Sequence, residues 1–144
     1  MPRRTTRAAV GVLDWLNARL RREAAPAHLQ RGRSGEEHAY FYLRKIGYII
    51  VARNYRSPLQ NGEIDLIGWD GSTLCFIEVK TRSTRQVAPA EAAVDDEKRR
   101  NLQRVARDYL RRLGRQPAFR FDVLSIYCEN KDKRPEVTLF RDAF

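Results

Sequence analysis

Two acids and a lysine interrupt runs that otherwise belong in a sheet core. Glu63 and Asp65 lie within Gly62-Glu63-Ile64-Asp65-Leu66-Ile67, and Glu78 and Lys80 within Phe76-Ile77-Glu78-Val79-Lys80. Apart from Gly62, the rest of each run is Val, Ile, Leu or Phe, so both read as strands, and Asp70-Gly71-Ser72 between them reads as a hairpin turn. Side chains alternate faces with period 2, which puts Glu63 and Asp65 on one face of the first strand and Glu78 and Lys80 on one face of the second. A two-residue loop at Gly71-Ser72, or a four-residue loop from Asp70 to Thr73, pairs Asp65 with Glu78 and Glu63 with Lys80. A loop at Asp70-Gly71 makes Asp65 diagonal to Glu78 on the same face. The charges cluster in every case.

Facing carboxylates repel, and in a partly buried setting the relief is a raised pKa, a neighbouring cation or a bound metal. Lys80 is the nearby cation. Mg²⁺ takes oxygen ligands, commonly one or two carboxylates plus waters and phosphate oxygens, and Asp65 with Glu78 would supply the protein share. That chemistry suits metal-assisted phosphodiester hydrolysis. The bland alternative is a salt-bridge ladder across a solvent-facing hairpin, in which Glu63 to Lys80 is a surface pair contributing little.

Asp65, a gap of twelve residues and then Glu78-Val79-Lys80 resemble the PD-(D/E)xK signature of restriction-endonuclease-like nucleases, with Ile64 where the name of the signature has proline. Further matches are Gly35-Glu36, Ala39, Gly47-Tyr48, Asn54-Tyr55-Arg56, Arg82 and Arg120-Phe121-Asp122-Val123. Together these resemble the YraN family of bacterial proteins, over roughly Ser34 to Tyr127. The resemblance implies an α/β, restriction-endonuclease-like core, a mixed central sheet flanked by helices, similar to archaeal Holliday junction resolvases. It implies a Mg²⁺-dependent endonuclease acting on branched or structured DNA, with Mn²⁺ as a substitute ion. Asp65, Glu78, the Val79 backbone carbonyl and Glu36, through water, would hold the metal. Lys80 would orient the attacking water or stabilise charge on the phosphate. Glu63 is either a partner of Lys80 or a further ligand. Resolvases of this fold cut two strands, so a homodimer is expected by analogy.

The charge balance points to the same partner. The net charge is +10, and the stretch before Ser34 holds eight arginines against Asp14 and Glu23. From Lys98 to Arg120 there are nine basic residues and one acid, Asp108. Clustered arginine is the footprint of a phosphate-backbone binder. Arg56, Arg82, Lys98, Arg100, Arg104, Arg107 and Arg111 are the candidate nucleic-acid contacts; a solvated, Arg-rich helix face is the plain alternative. A non-catalytic nucleic-acid-binding module with the nuclease fold, and a scaffold whose basic N-terminal segment docks an acidic partner, are the other functional readings.

These residues need elements to position them. Residues 1–33 read as a basic N-terminal extension, with an amphipathic helix from Ala8 to Arg22 and a linker from Ala24 to Arg33; residues 34–144 read as the endonuclease-like domain. Ser34 with Glu37 reads as a capping box opening a helix whose apolar face is Ala39, Tyr40, Leu43 and Ile46, stopped by Gly47, with Glu36 on the inward face. Tyr48 to Tyr55 reads as a strand, Ser83 to Ala93 as a mobile loop, and Asp95 or Asp96 as the start of a helix facing inward through Leu102, Val105, Ala106, Tyr109 and Leu113. Lys98, four residues before Leu102, points toward the acids from the same face. Phe119 to Tyr127 and Glu136 to Phe140 read as strands, the second an edge, with Arg120 and Asp122 a structural ion pair.

Other chemistry has little material. Only His28 and His38 are present, so a zinc cluster or a Ser/His/Asp triad is not expected. Cys75 and Cys128 fall in expected strands without metal spacing and read as buried, reduced thiols, which suits a cytoplasmic address. No apolar run is long enough to span a bilayer or form a secretory core, so no membrane partner is expected.

Overall fold

The computed structural model describes residues 27–83, 94–130 and 133–144, with side chains from Ser34 onward. The expected helix from Ala8 to Arg22 and nearly all of the expected loop from Ser83 to Ala93 lie outside the described residues. The elements are α1 (Ala27–Lys45), β1 (Ile49–Arg56), β2 (Glu63–Asp70), β3 (Thr73–Arg82), α2 (Asp96–Leu113), β4 (Phe119–Tyr127) and β5 (Glu136–Phe140). The strands form one five-stranded sheet in the order β1-β2-β3-β4-β5. All neighbours are antiparallel except β3 and β4, whose parallel pairing requires a crossover, and α2 lies in that connection.

The hairpin register is the one in which Asp70 pairs with Thr73 across the Gly71-Ser72 loop. Gly71 takes φ +59°, the left-handed conformation a two-residue hairpin loop demands. β3 is central, and its run Leu74–Ile77 is buried on both faces. Leu74 and Phe76 join Ile64, Ile67, Phe121 and Val123 beneath Leu102, Val105 and Ala106 of α2. On the opposite face Cys75 and Ile77 join Leu66, Leu124 and Ile126 beneath Ala39 and Leu43 of α1. The result is an α/β core with a mixed sheet between two helices.

The ends of the helices explain their placement. The Asp95 carboxylate caps α2 by accepting from the Lys98 backbone N–H at 2.8 Å, and Gly114 closes it at φ +69°. At the end of α1, Tyr48 N donates to Leu43 O and Gly47 N to Arg44 O, the paired bonds of a Schellman motif around a left-handed Gly47. The start of α1 differs from expectation. The helix begins at Ala27, so Ser34 lies inside it and the capping box does not form. Ala, Leu, Gln and Arg upstream of Ser34 are good helix formers, and their continuing preference outweighs a local cap signature. Ile46 is exposed rather than part of the apolar face. Cys128 lies just past β4 and is half-buried, whereas Cys75 is buried; both are free thiols. No helix among the described residues is long and apolar enough to cross a membrane.

Candidate active site

The acids meet where the sheet comes apart. The β2–β3 ladder runs from Asp70–Thr73 to Leu66–Ile77 and stops there. Beyond that point the Asp65 carboxylate replaces the ladder: its Oδ2 accepts from the Val79 backbone N–H at 2.7 Å. A side chain thereby satisfies a main-chain donor and turns Asp65 toward β3. Glu78 follows the last residue of β3 that pairs with β2, stays paired with Val123 of β4, and is 4 % exposed. Its Oε1 receives two ammonium groups, Lys80 Nζ at 3.0 Å and Lys98 Nζ at 3.2 Å. Its Oε2 is buried and has no hydrogen-bond partner among the described residues.

Burial is the main cause that pushes the Asp65 carboxyl up to about 7, and the charge of Glu78 adds to it. The Val79 N–H and the Lys98 ammonium act in the opposite sense, and Glu36 adds a smaller upward push. Near neutral pH the site thus holds one carboxyl at its titration point beside another that is incompletely paired.

Glu36 reaches this region from α1. A Cβ on Gly35 would run into Thr81 Oγ1, so glycine lets this part of α1 lie against the end of β3 next to Lys80. The Glu36 carboxylate accepts from Asn54 Nδ2 at 2.7 Å. Asn54 sits within β1 at φ +48°, between residues paired with Leu66 and Ile64, and therefore level with Asp65. Asparagine tolerates this left-handed backbone better than β-branched strand residues do. Beyond its place in the matched Asn54-Tyr55-Arg56 run, sequence reasoning assigned Asn54 no role; the available signal was an asparagine in a strand level with an acid.

The structure brings Asp65, Glu78, Lys80 and Lys98 together, with Glu36 close enough to act on Asp65. Among the described residues no group of three His, Cys, Asp or Glu side chains is arranged to hold a metal ion, so Glu36, Asp65 and Glu78 form no ready-made cage. Glu63 does not meet Lys80. The splayed end of the hairpin separates them, and Glu63 instead pairs across the β1–β2 ladder with Arg56, whose Nη2 lies 2.6 Å away. Arg100, Arg104, Arg107 and Arg111 are all exposed along α2, away from its buried residues Leu102, Val105, Ala106 and Asp108. Arg82 is half-buried at the end of β3, where its carbonyl accepts from Cys128 N.

A second ionic cluster belongs to the far half of the sheet. Asp122, fully buried, accepts from Arg120 Nε at 2.9 Å and from the Asp142 backbone N–H at 2.9 Å through Oδ1, and from Tyr48 Oη at 3.4 Å through Oδ2. Arg120 also donates to Asp70 at 2.7 Å, and Arg141 donates to Tyr48. Arg120 lowers the pKa of Asp70 by its hydrogen bond, while burial pushes the Cys75 thiol up to about 12. The expected Arg120–Asp122 pair is present; its extension to Asp70, Tyr48 and Arg141 had no periodic signal in the sequence.

A mixed sheet between helices, with the acids and lysine at the splayed end of its central hairpin, defines a restriction-endonuclease-like α/β protein. The chain belongs to the uncharacterised protein family UPF0102, the YraN family, whose profile matches residues 35–126. A UPF0102 protein of Koribacter versatilis is 53 % identical over 139 residues, covering 96 % of this chain and 94 % of the relative. One from Solibacter usitatus is 46 % identical, covering 94 % and 99 %, and one from Desulfitobacterium hafniense is 41 % identical, covering 76 % and 92 %.

Proposed function

We propose that the protein is a Mg²⁺-dependent endonuclease that hydrolyses phosphodiester bonds in branched or structured DNA. The observation that carries this reading is Glu78, with two ammonium groups on one oxygen and a buried, unpartnered second oxygen, beside an Asp65 pushed up to about 7. Buried carboxylate oxygens without partners are rare and call for a missing one. A hard divalent cation between the two acids fits that need, because the donors are all oxygen and their repulsion would be relieved. When bound, such an ion polarises a phosphate oxygen and lowers the pKa of a bound water.

Asp65 and Glu78 would hold the ion, with the Val79 backbone carbonyl as a further ligand and Glu36 reaching it through water. Lys80 would orient the attacking water or meet the charge that grows on the phosphate. The exposed arginines of α2 would track the backbone phosphates, with Arg56 and Arg82 as flanking contacts. Cutting two strands needs two such centres, so a homodimer is the assembly this reading expects.

A cleavage assay on four-way junctions, flaps, duplex and single strands with Mg²⁺ or Mn²⁺ tests the proposal. Scission of a branched substrate that needs the ion is the expected outcome. Lys80→Met should stop turnover while leaving DNA affinity nearly intact, because one lysine among many contributes little to binding but acts where charge develops. Salt-sensitive binding without scission of any substrate would leave a binding module instead.

A further inference from the structure

Lys98 occupies a position that the first turn of a helix disfavours. It is the third residue of α2 after the Asp95 cap, where the positive end of the helix dipole favours acids; Asp96 and Glu97 comply and Lys98 does not. Its ammonium is also poorly placed for simple neutralisation. It crowds Glu78 Oε1, which Lys80 already serves at 3.0 Å, and leaves Oε2 without a partner. A lysine kept only to neutralise a buried carboxylate would sit on the bare oxygen. Two local rules broken by one residue mark a site where function overrides stability.

We propose that Lys98 is a second working lysine of the site: its ammonium holds Glu78 until a divalent cation takes that carboxylate, and then turns to the phosphate being cut. This inference rests on the metal-dependent endonuclease reading. The side chain suits such an exchange. It is 35 % exposed, so the ammonium has a path to solvent and to a bound backbone, and its flexible stem lets the charge move without moving the helix. Lys80, one strand step from Glu78, remains beside the carboxylate throughout.

The test uses the full chain, Mn²⁺ calorimetry and cleavage rates at saturating Mn²⁺ for wild type, Lys98→Met and Lys98→Arg. Lys98→Met should bind Mn²⁺ several-fold more tightly, because a competing positive charge has gone, yet cut roughly a hundredfold more slowly. Lys98→Arg keeps the charge and should return Mn²⁺ affinity toward wild type with part of the rate. Unchanged or weaker Mn²⁺ binding in Lys98→Met would overturn the exchange, since a purely structural lysine gives that result. Tighter binding with an unchanged rate would overturn the phosphate role. Absence of Mn²⁺ binding in wild type would overturn the endonuclease reading itself and this inference with it. If Lys98→Met fails to fold, Lys98→Gln makes the same comparisons.

Discussion

Asp122 and Glu78 lie on neighbouring parallel strands of one sheet, both buried, and their surroundings are opposites. Both oxygens of Asp122 have partners, drawn from Arg120, Tyr48 and the Asp142 main chain, so the acid, the arginine and the tyrosine complete one another. Glu78 has two cations on one oxygen, none on the other, and a second carboxyl beside it. A buried charge that is fully satisfied serves the fold, whereas one left short of partners among the described residues has room for a further ligand, as the proposed function requires. On the proposed function the contrast separates a structural ion network from a working one, although both consist of Asp or Glu with Lys or Arg.

The largest effect that sharpens this contrast is expected at Asp122. Asp122→Ala leaves Arg120 and Tyr48 without their central acceptor, and removal of one partner from a buried pair costs roughly 3–5 kcal/mol. Urea unfolding should register that loss. A change below about 1 kcal/mol, the range of exposed ion pairs, would show that the network is not structural.

At Asp65 the sign should reverse. Its folded pKa is raised above the unfolded value, so between about pH 4 and 7 the unfolded chain has released the proton while the folded chain retains it. This contribution to stability is therefore present below about pH 4, declines as pH rises toward 7 and is constant beyond. Asp65→Asn removes the penalty and can still accept the Val79 N–H. In EDTA it should be more stable than wild type at pH 8, by an amount on the order of 3 kcal/mol, with the difference vanishing near pH 4. A destabilised Asp65→Asn at pH 8 would mean that the acid pair belongs with Asp122.

Glu63 gives the smallest effect. It pairs on the surface with Arg56, whose side chain is 77 % exposed, so Glu63→Gln should change stability by less than about 1 kcal/mol and leave Mn²⁺ affinity unaltered. A clear loss of Mn²⁺ affinity in that variant would return Glu63 to the metal centre.

Much of this arrangement was legible before the fold was known. Period-2 alternation put Asp65 and Glu78 on one face in every hairpin register considered, and a start at Asp95 or Asp96 with the Leu102, Val105 and Ala106 spacing placed α2 and the inward course of Lys98. These signals are local and periodic. What escaped depended on a break in periodicity or on long-range partners. The ladder stops at Leu66–Ile77, so extrapolating it to Glu63 and Lys80 fails, and Glu63 turns to Arg56 on the other neighbouring strand. The left-handed Asn54 breaks the pleat of β1 without a glycine to announce it. Ser34 carries a sound cap signature, yet helix formers upstream carry α1 through it. The orphaned Glu78 oxygen reflects the balance of all its neighbours and has no counterpart in any single stretch of sequence.

If Asp65 and Glu78 hold a divalent cation as proposed, Mn²⁺ titration calorimetry of wild type, Asp65→Ala and Glu78→Ala at neutral pH will register it. Binding heat in the wild type, absent from both variants while their circular dichroism stays native, is the predicted result. Equal Mn²⁺ binding by all three proteins would contradict it.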